Sequence, residues 1–293
     1  MNHIIFYFPQ DEKLAKKIAK KLNLDLADAI FRRFPDEETY VQINTNVENK
    51  NVILICSLKH PDMKLLPIIF FAETVRALGA KSIGLVAPYL AYLRQDTQFK
   101  PGEAVNSKIF GTLLSRYIDW LITIDSHLHR HASLSEVYSI PAYNLHTANL
   151  IATWIEGNVD QPVLIGPDEE SKQWVTGVAK HANIPYILLQ KIRHGDREVE
   201  ISVPQVAKYK KCTPVLVDDI ISTARTMIET VRHLNNSGMR PTICIGVHAI
   251  FVNSSYQDLL KENIEQVVTC NTIQHPTNKI DVSELLAEQI MKI

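Results

Sequence analysis

The sequence predicts an α/β protein. Three observations carry that expectation: short apolar runs of strand length recur along the chain, most alternate with segments of helical spacing, and the runs are apolar on both faces. Strands of that kind belong to parallel sheets covered by helices on both sides.

Residues 4–8 (IIFYF) open the chain as a strand and not as a secretory leader, and residues 11–22 carry apolar residues at helical spacing. A strand at 52–56 (VILIC) leads to a helix at 64–78, where Leu65, Ile68, Ile69, Ala72 and Val75 repeat and Gly79 supplies the stop. Strands at 83–87 and 120–124 flank a helix at 107–117, and a further helix fits 147–154. The second half repeats the rhythm with strands at 163–165, 186–189, 215–217, 243–247 and 267–270. Helices at 170–181, 226–235 and 283–292 complete it, and Gly238 follows the second of these as a terminator. A break at 156–162 (EGNVDQP) divides the series, so domains at 1–146 and 147–293 are expected, with the last helix free to pack back on the first. Each half has a strand ending in Asp, ITIDSH at 122–127 and VLVDDI at 215–220, a hint of duplication.

At 293 residues, each half is long enough to bury its own core without staples. The 31 basic and 32 acidic residues leave a formal charge of −1, which offers no broad basic surface for nucleic acid or an anionic membrane. No run approaches the ~18 apolar residues of a membrane span, and a cytoplasmic protein is expected. Cys56, Cys212, Cys244 and Cys270 form no CxxC pair and read as reduced packing residues.

In open α/β sheets ligands bind where loops leave the carboxyl ends of strands, so those loops are where chemistry is sought. The most specific one is Asp218-Asp219-Ile220-Ile221-Ser222-Thr223-Ala224-Arg225-Thr226, in which an apolar strand runs into two carboxylates, a hydroxyl-rich turn and a helix. Unpaired N–H groups and the helix dipole suit a phosphate monoester there, while the carboxylates accept hydrogen bonds from vicinal sugar hydroxyls. Neither GxxxxGK[ST] nor GxGxxG occurs. The plainer reading is a helix cap with two solvated carboxylates, but three hydroxyls in five residues exceed what capping needs.

This loop resembles the ribose 5-phosphate loop of phosphoribosyltransferases and of phosphoribosyl pyrophosphate synthetases (ribose-phosphate diphosphokinases). Other loops favour the synthetases. Phe34-Pro35-Asp36-Glu37-Glu38 resembles their Phe-x-Asp-Gly-Glu, with Glu37 in place of glycine, and an aromatic ring beside carboxylates suits a purine. Pro88-Tyr89-Leu90-Ala91-Tyr92-Leu93-Arg94-Gln95-Asp96 resembles Pro-Tyr-x-x-Tyr-x-Arg-Gln-Asp, and a guanidinium such as that of Arg94 bridges phosphate oxygens in fixed geometry. Asp125-Ser126-His127 resembles an Asp-x-His that helps hold magnesium; the neighbouring His129 and His131 match nothing and read as solvated, and no zinc spacing is present. Lys191 and Arg193 resemble the Lys-x-Arg of the catalytic loop that closes over ATP, the plainer alternative being a solvated hairpin. Asp168, in Gly166-Pro167-Asp168, sits where the family has Pro-Asp-x-Gly; Glu169–Ser171, Ser222 and Arg225 depart from the common pattern.

The resemblance implies two tandem domains of phosphoribosyltransferase-like type, each a mainly parallel sheet flanked by helices, the first on the ATP side and the second binding ribose 5-phosphate. It implies catalysis by Lys191 and Arg193, ATP contacts from Phe34, Asp36, Glu38, Arg94, Gln95 and Asp96, and ribose 5-phosphate contacts from Asp218, Asp219, Ser222, Thr223, Ala224, Arg225 and Thr226. Mg2+ is implied as cofactor, near His127 and Asp168. The implied reaction moves the diphosphoryl group of ATP to the anomeric hydroxyl of ribose 5-phosphate. Because the Phe34–Glu38 loop of the family reaches a neighbour's ATP site, self-association is implied. A phosphoribosyltransferase and a non-catalytic regulatory relative are the alternatives.

Overall fold

The computed structural model describes residues 2–293 apart from 129, 168–170, 195–197 and 203–205, with the side chains of 173, 190–194, 198–202, 206 and 207 also outside the description. The chain divides into two compact units, Met1–Leu145 with Ser283–Ile293, and His146–Val282. Each is built on one parallel sheet.

The first unit runs β1 (His3–Tyr7), α1 (Glu12–Leu22), β2 (Ala29–Arg33), β3 (Thr39–Ile43), β4 (Asn51–Ile55), α2 (Asp62–Ala77), β5 (Ser82–Ala87), α3 (Asn106–Leu114), β6 (Trp120–Ile124) and β7 (Ala142–Leu145). The sheet order is β1-β4-β5-β6-β7, with every neighbouring pair parallel. All five residues of β6 are buried, as a central strand between helical layers requires. α1 buries Leu14, Ala15, Ile18 and Ala19 and ends at Asn23, whose left-handed backbone turns the chain out of the helix. The chain's last helix, Ser283–Ile290, packs on α1 and pairs Glu284 with Lys21.

β2 and β3 form an antiparallel hairpin outside this sheet. Apolar contacts anchor it: Phe31 stacks on Phe8 with centroids 4.3 Å apart and lies 5.8 Å from Phe71, which meets Phe6 edge-on. The turn at 34–38 is thereby presented by a hairpin rooted in the core.

The second unit runs α4 (Ala148–Asn158), β8 (Pro162–Gly166), α5 (Lys172–Ala182), β9 (Tyr186–Leu188), β10 (Gln190–His194), β11 (Glu198–Ser202), β12 (Thr213–Ile221), α6 (Arg225–Asn236), β13 (Thr242–Ala249), α7 (Ser255–Leu260), β14 (Ile264–Cys270) and β15 (Asn278–Ile280). Its sheet order is β15-β14-β13-β12-β8-β9, again all parallel. From β8 the chain moves outward to β9 and then returns to the other side of β8 as β12. The order therefore reverses between β8 and β12, the position at which open α/β sheets leave a ligand-binding crevice at the strands' carboxyl ends.

Several elements differ from expectation. The strand expected at 215–217 runs from 213 to 221, because Ile220 and Ile221 continue the pairing with β13 as far as Ala249. Strands at 29–33, 142–145 and 278–280 were not expected; each is short and lies in the hairpin or at a sheet edge, where a continuous apolar run is unnecessary.

Candidate functional site

At the switch point of the second unit, β12 delivers Asp218 and Asp219 at its carboxyl end, three residues before the turn that opens α6. Asp219 is buried, and Asp218 is half-buried and accepts the N–H of Asp219 on its own carboxylate at 3.0 Å. The two carboxylates are therefore not solvated alike. The turn itself is held from behind. Phe251 N–H donates to the Ile221 carbonyl at 2.8 Å and Val252 N–H to that of Ser222 at 3.2 Å, while the Ser255 hydroxyl donates to the same Ser222 carbonyl at 2.8 Å.

Ala224 occupies the cap position of α6 with φ of 56°. No side chain caps the helix there, so the hydroxyls of Ser222 and Thr223 are not engaged in the capping that the plainer reading assigns them. An α-helix leaves its first N–H groups unpaired and positive. Here they adjoin an exposed Thr223, an exposed Arg225 and a half-buried Thr226. That set of donors beside two carboxylates suits a phosphorylated polyol.

Gly166 closes β8 on the other side of the crevice. A Cβ there would stand 2.5 Å from Leu188 Cδ2 and 2.8 Å from the Ser171 hydroxyl, so the backbone approaches its neighbours too closely for a side chain. Asp168 lies outside the described residues. Lys191 and Arg193 fall in β10, whose backbone pairs antiparallel with β11, Lys191 opposite Ile201 and Arg193 opposite Val199. The segment expected as a charged loop is thus paired strand in its backbone at 190–194 and 198–202.

In the first unit the turn Phe34–Glu38 is closed by hydrogen bonds from Phe34 N–H to the Glu38 carbonyl and from Glu37 N–H to the Phe34 carbonyl, both 2.9 Å. Glu37 sits at φ of 69°. This is a left-handed position that favours glycine, and it accounts for the residue the family pattern carries there. Arg32 lies over the rings of Phe34 and Tyr40, at 4.6 Å and 4.0 Å. Beside the hairpin a groove of about 520 Å3 is lined by Arg33, Glu37, Glu38, Met63, Leu66 and Phe70, among others.

β5 and β6 are neighbours, so their carboxyl-end loops leave the sheet side by side. The first carries Arg94, exposed, and Gln95, whose side-chain oxygen accepts from Asn106 at 2.6 Å. Asp96 is buried and accepts from Arg130 of the second loop at 2.6 Å. The second loop starts at Asp125, buried, with φ of 35° and its N–H bonded to the Leu145 carbonyl. His127 follows, half-buried. His131, expected to be solvated, is instead largely buried and hydrogen-bonded to Glu136 at 2.9 Å. That bond and one from Ala132 N–H hold the Glu136 carboxyl below its ordinary range. His129 lies outside the described residues. Arg130 is the residue that sequence reasoning missed; nothing in its local sequence shows that its partner lies 34 positions away.

Magnesium takes oxygen ligands, keeps several waters, and is commonly held by one or two carboxylates plus substrate phosphates. Among the described residues no group of three or more His, Cys, Asp or Glu side chains gathers for a metal. Cys56, Cys244 and Cys270 are buried without disulfides, and burial pushes the Cys56 thiol well up and that of Cys244 up to about 12.

Comparison with known proteins fits these two units. Residues 3–117 match the family model described as the N-terminal domain of ribose phosphate pyrophosphokinase, and residues 133–285 match the phosphoribosyl transferase domain. The ribose-phosphate pyrophosphokinase of Methanopyrus kandleri is 31% identical over 290 residues, covering 98% of each chain. The chain belongs to the ribose-phosphate pyrophosphokinase family. The family's Thermoplasma acidophilum member is 30% identical over 94% of both chains. A crystal structure of phosphoribosylpyrophosphate synthetase from Mycobacterium smegmatis superposes with a TM-score of 0.87 at 20% identity, covering 99% of this chain and 98% of that one, and so shares the fold. Among the described residues no helix is long and apolar enough to cross a membrane.

Proposed function

We propose that this chain is a magnesium-dependent ribose-phosphate diphosphokinase of the cytoplasm, converting ATP and ribose 5-phosphate to phosphoribosyl pyrophosphate and AMP. The observation that carries the reading is the turn after β12. It joins two carboxylates to an α-helix start that no side chain caps, at the switch point of its sheet.

In this mechanism the N–H groups of the first turn of α6, with Ser222, Thr223, Ala224, Arg225 and Thr226, bind the 5-phosphate. Asp218 and Asp219 accept from the ring hydroxyls and fix the sugar's orientation. Phe34, Asp36 and Glu38 bind the adenine, and Arg94, Gln95 and Asp96 shape the polyphosphate site. The anomeric oxygen attacks the β-phosphorus, a bond forms between them, and the bond from the β-phosphorus to the oxygen retained by AMP breaks. Lys191, Arg193 and Arg94 neutralise the charge that grows on the bridging and equatorial oxygens. His127 and Asp168 would hold Mg2+, directly or through water; bound there, the ion supplies neutralisation of phosphate charge. Orienting the two reactants accounts for about 7–11 kcal/mol of barrier.

Self-association follows from the same reading. The hairpin turn at 34–38 completes a neighbour's ATP site, and beside it α2 exposes Met63, Leu66 and Phe70 at spacings of three and four along one face. The test is AMP formation by the purified chain supplied with ATP, ribose 5-phosphate and magnesium. AMP appearing only when all three are present supports the reading, and loss of specific activity on dilution supports the shared site. No AMP, or turnover of phosphoribosyl pyrophosphate with an acceptor base instead, overturns it.

A further inference from the structure

We propose that Arg130 is a positioning residue of the nucleotide site. Its guanidinium locks the loop after β6 onto the loop after β5 through the buried carboxylate of Asp96. The inference rests on the reading that these two loops take ATP.

The geometry is specific. The Asp96 side chain is 1% exposed, and Arg130 Nη1 donates to its Oδ1 at 2.6 Å. A carboxylate removed from water to that extent needs an ionic partner. The distance is that of a charge-assisted bond. Arg130 itself stays 53% exposed, so one edge of the guanidinium is committed to Asp96 while the rest faces solvent. Its carbon centre also lies 5.4 Å from the ring centroid of Phe99, within cation–π range. Two contacts three residues apart on one loop, Asp96 and Phe99, are thus gathered by one side chain of the other.

The consequence falls on the residues between and beside these anchors. Arg94 and Gln95 directly precede Asp96, and His127 is three residues before Arg130. Gln95 is further fixed by Asn106, and Ser107 N–H donates to its carbonyl at 3.2 Å. An exposed Arg94 clamps a polyphosphate only if its backbone is stationary. Asp96 therefore contributes by holding Arg94 and Gln95 in place, with its carboxylate occupied by Arg130. Lysine at 130 keeps the charge but lacks the planar fork that meets carboxylate and ring together.

The test compares wild type with Arg130→Lys, Arg130→Gln and the double variant Asp96→Asn/Arg130→Gln. The readouts are Kd for Mg-ATP by calorimetry and the two KM values from AMP formation. Arg130→Gln is expected to weaken Mg-ATP binding by about 10- to 100-fold, the scale of a displaced binding group, with KM for ribose 5-phosphate within about twofold. The double variant, which replaces the ion pair by a neutral hydrogen bond and leaves no stranded carboxylate, is expected to recover at least about tenfold of that loss. Lysine is expected to fall between wild type and glutamine. Unchanged Mg-ATP affinity in Arg130→Gln, equal losses for both substrates, or a double variant no better than the single one overturns the inference. Should wild type bind Mg-ATP without forming AMP, the proposed activity fails while the clamp is still judged on Kd; should it bind no Mg-ATP, both fail.

Discussion

Asp11 gives the sharpest quantitative test of the first unit. It lies where the chain enters α1, is 5% exposed, and accepts the N–H of Ser57 at 3.1 Å. Lys64, also buried, donates to the Ser57 carbonyl. Burial pushes the Asp11 carboxyl up from its ordinary 3.8 to about 6, against the opposing pull of the Lys64 charge and the Ser57 hydrogen bond. Between those two values the folded chain holds a proton that the unfolded chain releases. The stability it contributes is therefore fully present below pH 3.8 and is lost as pH rises through about 6. At about 1.4 kcal/mol for each pH unit, the gap is worth about 3 kcal/mol. Asp11→Asn keeps an acceptor for Ser57 and does not titrate. Urea unfolding of both proteins from pH 4 to pH 7 is the assay, read by Trp120 in a background with Trp154 and Trp174 replaced by Phe, so that only the first unit reports. The stability difference, wild type minus variant, is expected to fall by about 2 kcal/mol across that range, because at pH 4 the unfolded carboxyl is already more than half ionised. Parallel curves, or a difference that grows with pH, would show that Lys64 and Ser57 outweigh burial.

Three other perturbations test separate links. Lys191→Ala is expected to keep the fold and lower kcat by roughly 10²–10³, the loss for one transition-state charge donor; wild-type turnover removes Lys191 from the mechanism. Gly84→Ala puts a Cβ 1.9 Å from the Trp120 ring, which lies across β5. Overpacking of a buried strand pair is expected to cost about 1–3 kcal/mol or more in urea unfolding, and an unchanged midpoint refutes it. Ala224→Gly relieves the left-handed backbone at the start of α6 but frees the turn, so stability is expected to hold within about 1 kcal/mol while KM for ribose 5-phosphate rises. A KM that stays fixed argues that the turn's rigidity does not matter to binding.

The periodic elements were legible because their physical cause is local. α2 repeats Leu65, Ile68, Ala72 and Val75 on a face that the core buries, Leu65 only in part, and the runs at 52–56 and 120–124 are strands because they are apolar on both sides. The first strand of the hairpin at 29–43 was not legible, since Ala29–Arg33 alternates weakly and owes its place to Phe31 packing on Phe8 and Phe71. The end of β12 was misplaced because Asp218 and Asp219 read as a loop; pairing with β13 overrides that local preference. Within the candidate sites, single residues that match a pattern in sequence were legible, and residues that act across loops were not. Arg130 on Asp96 and Ser255 on Ser222 are separated by 34 and 33 positions, distances no local spacing encodes.

The backbone outliers bear on the same division. Glu37, Asp125 and Ala224 adopt positive φ without being glycine, and each sits in a loop singled out for a ligand. Phe251, at φ of 36°, belongs to the segment that bonds the turn after β12. A left-handed backbone costs a residue with a Cβ about 1–2 kcal/mol, and such conformations persist where surrounding contacts over-determine them. At each of these positions those contacts are visible: the closed turn around Glu37, the Leu145 carbonyl on Asp125, and the Ala224 carbonyl accepting from Ile228 as α6 begins. The departures at Glu37, Ser222 and Arg225 therefore change charge and bulk in these loops without removing the contacts that hold their backbone.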